Sequence, residues 1–408
     1  MPLRQTADEL IPDLARYQRR FLLVGGAGAA LSVAGWVINP AQFFQSYLTA
    51  YMLVLGATLG CLALGMVHQL SGGAWGVVTR RLIGAAARVL PVLTILFLPV
   101  VAGMSHLYEW THADVVSADA VLRGKSAYLN TPFFLVRAVC YFAVWNLISS
   151  LLNRWSLEQD RSGDPRLSRN MQALSGGGLV AYGVTVTFAS FDWLMSLDPH
   201  WVSAIYGIMT IGGQGLTAIA VLIIALWWLS LRPPLDTIVV PSHFQDLGNL
   251  MLAFVMLWAY FSFSQYLIIY SGNLPEEITW YTRRLNTGWR VVGQALVLIH
   301  FAVPFLLLLS RPFKRHGRVL AALAVGILVV RAVDLIWLIA PQFHPQALSL
   351  SWLDVVLPCA LAALWTGCFL RQLRGRAILP LHDPQFTEAL GSSVEYGEHG
   401  AAPKVSSR

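Results

Sequence analysis

Residues 203–230 read SAIYGIMTIGGQGLTAIAVLIIALWWLS, a run without one Asp, Glu, Lys or Arg. An α-helix rises about 1.5 Å per residue, so roughly twenty apolar residues cross the hydrocarbon core of a bilayer, and this run suffices with turns to spare. In lipid such a segment must satisfy its backbone hydrogen bonds internally, which makes it a helix.

Similar runs lie on either side of it, near 21–38, 43–68, 82–107, 132–153, 171–195, 246–271, 288–310, 318–340 and 353–371. Together they predict an all-α polytopic membrane protein of about ten transmembrane helices. Composition agrees: 56% of the 408 residues are hydrophobic and 12% charged, against roughly a quarter charged in a soluble domain. The chain divides into an N-terminal segment (1–20), a transmembrane domain (21–372) and a polar tail (373–408) expected to be disordered in part. The first twenty residues are polar and charged and lead to no cleavage site, so the first span is expected to be retained.

The net charge of +7 predicts orientation rather than a nucleic-acid partner, because Lys and Arg fall between the apolar runs. One set of connections carries Arg4, Arg16, Arg19, Arg20, Arg80, Arg81, Arg154, Arg161, Arg166, Arg169, Arg232, Arg311, Lys314, Arg315 and Arg318. The alternate set carries Arg123, Lys125, Arg283 and Arg284 beside several acids. The positive-inside rule then puts both termini in the cytoplasm of a bacterial inner membrane. The two longest outer connections, 109–131 and 273–287, are long enough to hold a neighbouring protein.

Charges at membrane depth are costly and are by default functional candidates. The outer halves of the spans hold His106 and Glu109, Arg137, Asp192, Arg290, and Arg331 with Asp334. His106/Glu109 and Arg331/Asp334 are each three apart, so each pair shares a helical face; the second also reads as a neutralised structural pair. Residues 191–201, FDWLMSLDPHW, add Asp198 and His200, with the tryptophans reading as interfacial anchors and Asp198-Pro199 as a helix start. Toward the inner side lie His68 and the run 242–249, SHFQDLGN, which contains His243 and Asp246. That run also reads as a helix N-terminus with Ser242 as its cap. His300 lies between the two levels, and Pro304 frees its carbonyl, predicting a kink.

His68, His106 and His300 sit at different depths, so no intramembrane haem is expected. Cys61, Cys140, Cys359 and Cys368 lack the spacing of a zinc or iron–sulfur site, and no metal is expected.

Three motifs in order, SFDWLMSLDPHW (190–201), SHFQDLGN (242–249) and SGNLPEE (271–277), resemble the NrfD-like membrane subunits of alternative complex III. The likeness is to the shorter, F-type subunit and runs from about Tyr17 to the Leu381-His382-Asp383-Pro384 tail. The resemblance implies two four-helix bundles, spans 2–5 and 6–9, flanked by spans 1 and 10. It implies an integral membrane subunit of a respiratory quinol:cytochrome c or oxidase oxidoreductase. Its expected partners are a second NrfD-like subunit, multihaem cytochrome c and iron–sulfur subunits, and a terminal oxidase. Haem c and iron–sulfur clusters are expected on those partners and none on this chain, with menaquinol or ubiquinol as the reductant.

On this reading Asp192, Arg137, Arg331, Asp334, His200 and Asp198 are outer proton-path candidates, His68, His243 and Asp246 inner ones, and His300 a middle one. A quinol pocket is sketched by His106, Arg137 and Asp192. Two other classes stay open: a proton-coupled secondary transporter, and a scaffold whose buried charges fix packing.

Overall fold

A computed structural model describes residues 13–232 and 235–377. Among the described residues ten helices are long and apolar enough to cross a membrane: α1 Leu14–Ile38, α2 Pro40–Ser71, α3 Ala74–Ala102, α4 Thr131–Ser162, α5 Pro165–Leu197, α6 Tyr206–Ser230, α7 Pro241–Gly272, α8 Trp289–Leu309, α9 Gly317–Phe343 and α10 Leu353–Leu373. The chain is an all-α polytopic membrane protein. Ten crossings put the start of α1 and the end of α10 on one side, called here the near face.

Helix starts follow local chemistry. Asn39, Asn130 and Asp164 cap α2, α4 and α5 by accepting backbone N–H bonds from Gln42, Phe133 and Arg166 at 3.1, 2.9 and 2.8 Å, each with proline at the start of the helix. α1 begins at Leu14, so Arg16, Arg19 and Arg20 extend the first span instead of preceding it. Residues 1–12 and 378–408, most of the two predicted terminal segments, lie outside the described residues.

Two rings of four helices pack side by side. In the first, α2 meets α3, α3 meets α4, α4 meets α5 and α5 returns to α2; in the second, α6, α7, α8 and α9 repeat the cycle. The rings join along α2 and α6, with α5 on α6 and α9 on α2, as a two-fold exchange of the bundles requires. The α2–α6 seam is close because Gly60 lies against the Gln214 carbonyl, where a Cβ would come within 2.1 Å of the oxygen. α1 and α10 do not bracket the bundles from opposite sides. They pack on each other and on α2, drawn together by Gly25, Gly28 and Gly35 of α1 against Leu364, Ala360 and Leu353 of α10.

The opposite face, the far face, is roofed by the connections. Helix Ala120–Lys125 and helix Pro275–Leu285 lie over the α5–α6 connection. His200 Nε2 contacts the Asp119 carboxylate at 2.6 Å, Lys125 Nζ donates to the Pro199 carbonyl at 2.6 Å, and Arg283 donates to Asp198 at 2.8 Å and to Gln342 at 2.6 Å.

Candidate functional site

Each bundle holds one buried carboxylate paired with one arginine in its far half, and their surroundings differ. In the first, Arg137 of α4 grips Asp192 of α5 with two parallel bonds, Nε to Oδ2 at 2.8 Å and Nη2 to Oδ1 at 2.9 Å. Tyr141, one turn beyond Arg137, donates to Oδ2 at 2.8 Å. The remaining Arg137 nitrogen donates to the Tyr128 carbonyl at 2.9 Å, and its plane lies 3.9 Å from the Tyr128 ring and 4.3 Å from that of Phe133. Asp192 is fully buried. Phe97, Phe134, Phe142, Trp145 and Trp193 pack against one another in this bundle, and the hollow it does have, about 440 Å³ between α3 and α4 lined by Phe97, Val139 and Phe142, is apolar and does not include Arg137 or Asp192. A carboxylate with three donors in a sealed, aromatic setting is a satisfied structural ion pair.

The second bundle is hollow. Arg331 and Asp334 of α9 form an ion pair, as their three-residue spacing predicts. The Arg331 guanidinium lies where a side chain on Gly213 of α6 would stand, and Trp258 of α7 donates to Asp334 at 3.2 Å. Both charges line a cavity of about 660 Å³ with Tyr206, Gln214, Trp258, Trp280, Gln294 and Trp337. Its wall includes Tyr260, Phe263 and Val297, which are exposed on the outer surface of α7 and α8, so the cavity opens sideways into the lipid layer. A hollow of this size accommodates a small organic molecule.

His300 borders this site. α8 winds as a π-helix over Val297–Ala302, just before Pro304, so the expected break in the helix is present as a widened turn. The His300 ring packs 4.3 Å from Trp258, is fully buried, and has no hydrogen-bond partner on either nitrogen.

The other sequence candidates lie elsewhere. His106 is exposed and stacks 5.4 Å from Phe44, whereas Arg137 and Asp192 bond to each other, to Tyr141 and to the Tyr128 carbonyl. The α-helix ends at Leu107 and Glu109 begins a 3₁₀ turn, so Glu109 leaves the helical face it was expected to share with His106. Asp198 and His200 are fastened to Arg283 and Asp119 in the roof. His68 closes the α2–α3 turn through a 3.1 Å contact to the Gly73 carbonyl. His243 caps α7, its Nδ1 accepting from the Val240 N–H at 3.2 Å, and Asp246 follows half-buried in the same turn region. Ser242 is not the cap: Pro241 already occupies the first turn, so the helix starts ahead of the serine.

Sequence reasoning missed Tyr141, Trp258 and Arg284. Tyr141 is four residues from Arg137 and so shares its helical face. Arg284, in the roof beside the cavity, donates to the carbonyls of Trp280, Trp337 and Leu338 and lies 3.5 Å from the Trp280 ring. Burial pulls its guanidinium down to about 9, leaving it charged at neutral pH.

Fold and site together define a polytopic helical membrane protein with one sealed ion pair and one that faces a lipid-accessible cavity. No family model and no curated protein matches the chain.

Proposed function

We propose that the chain is the membrane subunit of a respiratory quinol-oxidising complex of the alternative complex III kind, and that quinol enters the α6–α9 cavity rather than the sealed region around Asp192. The observation that carries this reading is the lateral opening of a 660 Å³ aromatic cavity onto a buried Arg331–Asp334 pair. A quinol has a flat ring for the tryptophans, hydroxyls for a carboxylate and amides, and an apolar tail that stays in lipid. Its oxidation to quinone releases two protons and two electrons. On this reading Asp334 and, behind Trp258, His300 take the protons, and the electrons pass to haem or iron–sulfur centres on partner subunits seated over the far-face roof. The Lys and Arg distribution supports a cytoplasmic near face and a periplasmic far face.

The test is purification of the tagged chain from its native membrane in mild detergent, with mass spectrometry of co-purifying proteins, a haem and iron assay, and quinol oxidation. Multihaem cytochrome and iron–sulfur partners with activity are the expected outcome. A second reading, a proton-coupled transporter, draws on the π-helix of α8 beside the cavity; a lone, cofactor-free oligomer that moves substrate in proteoliposomes would replace the first reading.

A further inference from the structure

The near face has a second hollow, smaller and opposite in character. Where α2, α3, α4 and α10 end or begin, a cleft of about 60 Å³ is lined by Arg80, Arg81, Arg88 and Arg376. Water needs about 10–15 Å³ of such space, so the cleft has room for roughly four to six waters, or one phosphate group. Arg81 pairs with Asp160, and the described residues that line the cleft include four arginines and no carboxylate.

Some of their donors are occupied. Arg80 donates to Gln159 at 3.0 Å, Arg81 to Ser156 at 3.0 Å, and Arg88 to the Gln372 carbonyl. Others are not: Nε of Arg81 and Nε and Nη1 of Arg88 are buried with no partner, although the Arg81 residue is only 9% exposed. Burial, and after it the charge of Arg81, lowers the pKa of Arg376, which lies just past α10. Arginines that only orient a span reach outward to water. Arg81 and Arg88 turn inward, with buried charged donors that lack acceptors, an arrangement that costs free energy unless an anion completes it.

We propose that this cleft binds a phosphate-bearing anion, with the headgroup of an anionic membrane lipid as its source. Guanidinium forks match phosphate oxygens two by two, and basic pockets between helix ends take anionic headgroups. Neither the quinol cavity nor any redox role enters this inference.

The test uses the full-length protein, delipidated in detergent, by native mass spectrometry and thermal unfolding with cardiolipin, phosphatidylcholine or sodium phosphate. Cardiolipin is expected to stay bound and raise the melting temperature, and phosphatidylcholine to do neither. R88Q and R376Q are each expected to weaken retention about tenfold, the effect of losing one charge-assisted bond. R376Q lies beyond the last span and keeps the test open should R88Q fold poorly. An equal rise with sodium phosphate alone would keep the site and make free phosphate its source. The proposal fails if anionic and zwitterionic lipids behave alike, or if both variants retain cardiolipin as the native protein does. It fails too if binding appears only after residues 378–408 are removed, because the chain's own acids would then fill the cleft.

Discussion

Asp192 and Asp334 carry the same charge and each is paired with an arginine, yet the consequences of removing them differ. Asp192→Ala leaves Arg137 buried with two donors unmatched, and a buried pair broken on one side costs about 3–5 kcal/mol. Y141F removes a neutral donor to a charged acceptor and costs about 1.5–3 kcal/mol. Unfolding of the purified variants in detergent measures both, and the ordering D192A worse than Y141F is the expected result. In the roof, the His200 contact, and after it the Leu122 N–H, hold the Asp119 carboxylate below its ordinary value of 3.8. A folded pKa below the unfolded one adds stability above the ordinary value and loses it as pH falls through the folded one. The stability difference between the native protein and D119N is therefore expected to persist in mild acid and to close below about pH 4, read from melts across that range.

The seam of α2 and α6 depends on Gly60, since a Cβ there meets a backbone oxygen that cannot rotate away. Gly60→Ala is expected to separate the bundles and cost about 1–3 kcal/mol, the usual effect of overpacking, whereas Gly177→Ala on α5, which meets nothing within 4 Å, should leave the melting temperature unchanged. All ten helices were legible in the sequence because a membrane span is a property of one segment: length, apolar content and flanking charge are all local. The Arg331–Asp334 pair was legible for the same reason, being made within one helix. Trp258 on Asp334 was not, because it reaches across from another helix and nothing in the spacing of α7 marks it. Nor was the cavity, which is made by helices that fail to fill the space between them. The joint position of α1 and α10 likewise follows from glycines on α1 meeting side chains of α10 more than three hundred residues away.

At the scale of the molecule the two bundles share one helix cycle and one buried Arg–Asp pair in the far half of each, and differ in what surrounds that pair. The hollow of the first, about 440 Å³ between α3 and α4, is apolar and leaves its ion pair out, while the 660 Å³ of the second is lined by its ion pair. If quinol chemistry belongs to the second, filling that space must stop turnover without unfolding the protein, and opening the first must do the reverse. Thr210→Phe places a ring in the α6–α9 cavity, where Thr210 is part of the wall. Because the space is already empty, the overpacking penalty is avoided, and the melting temperature should stay near that of the native protein while quinol oxidation by the assembled complex falls tenfold or more. Trp193→Ala removes a buried ring from the sealed bundle and should cost about 3–5 kcal/mol, with turnover per assembled complex retained. Activity normalised to assembled complex, measured beside thermal unfolding for both variants, decides between the bundles. Turnover kept in Thr210→Phe and lost in Trp193→Ala would move the quinol site to the first bundle, and turnover kept in both would remove it from this chain.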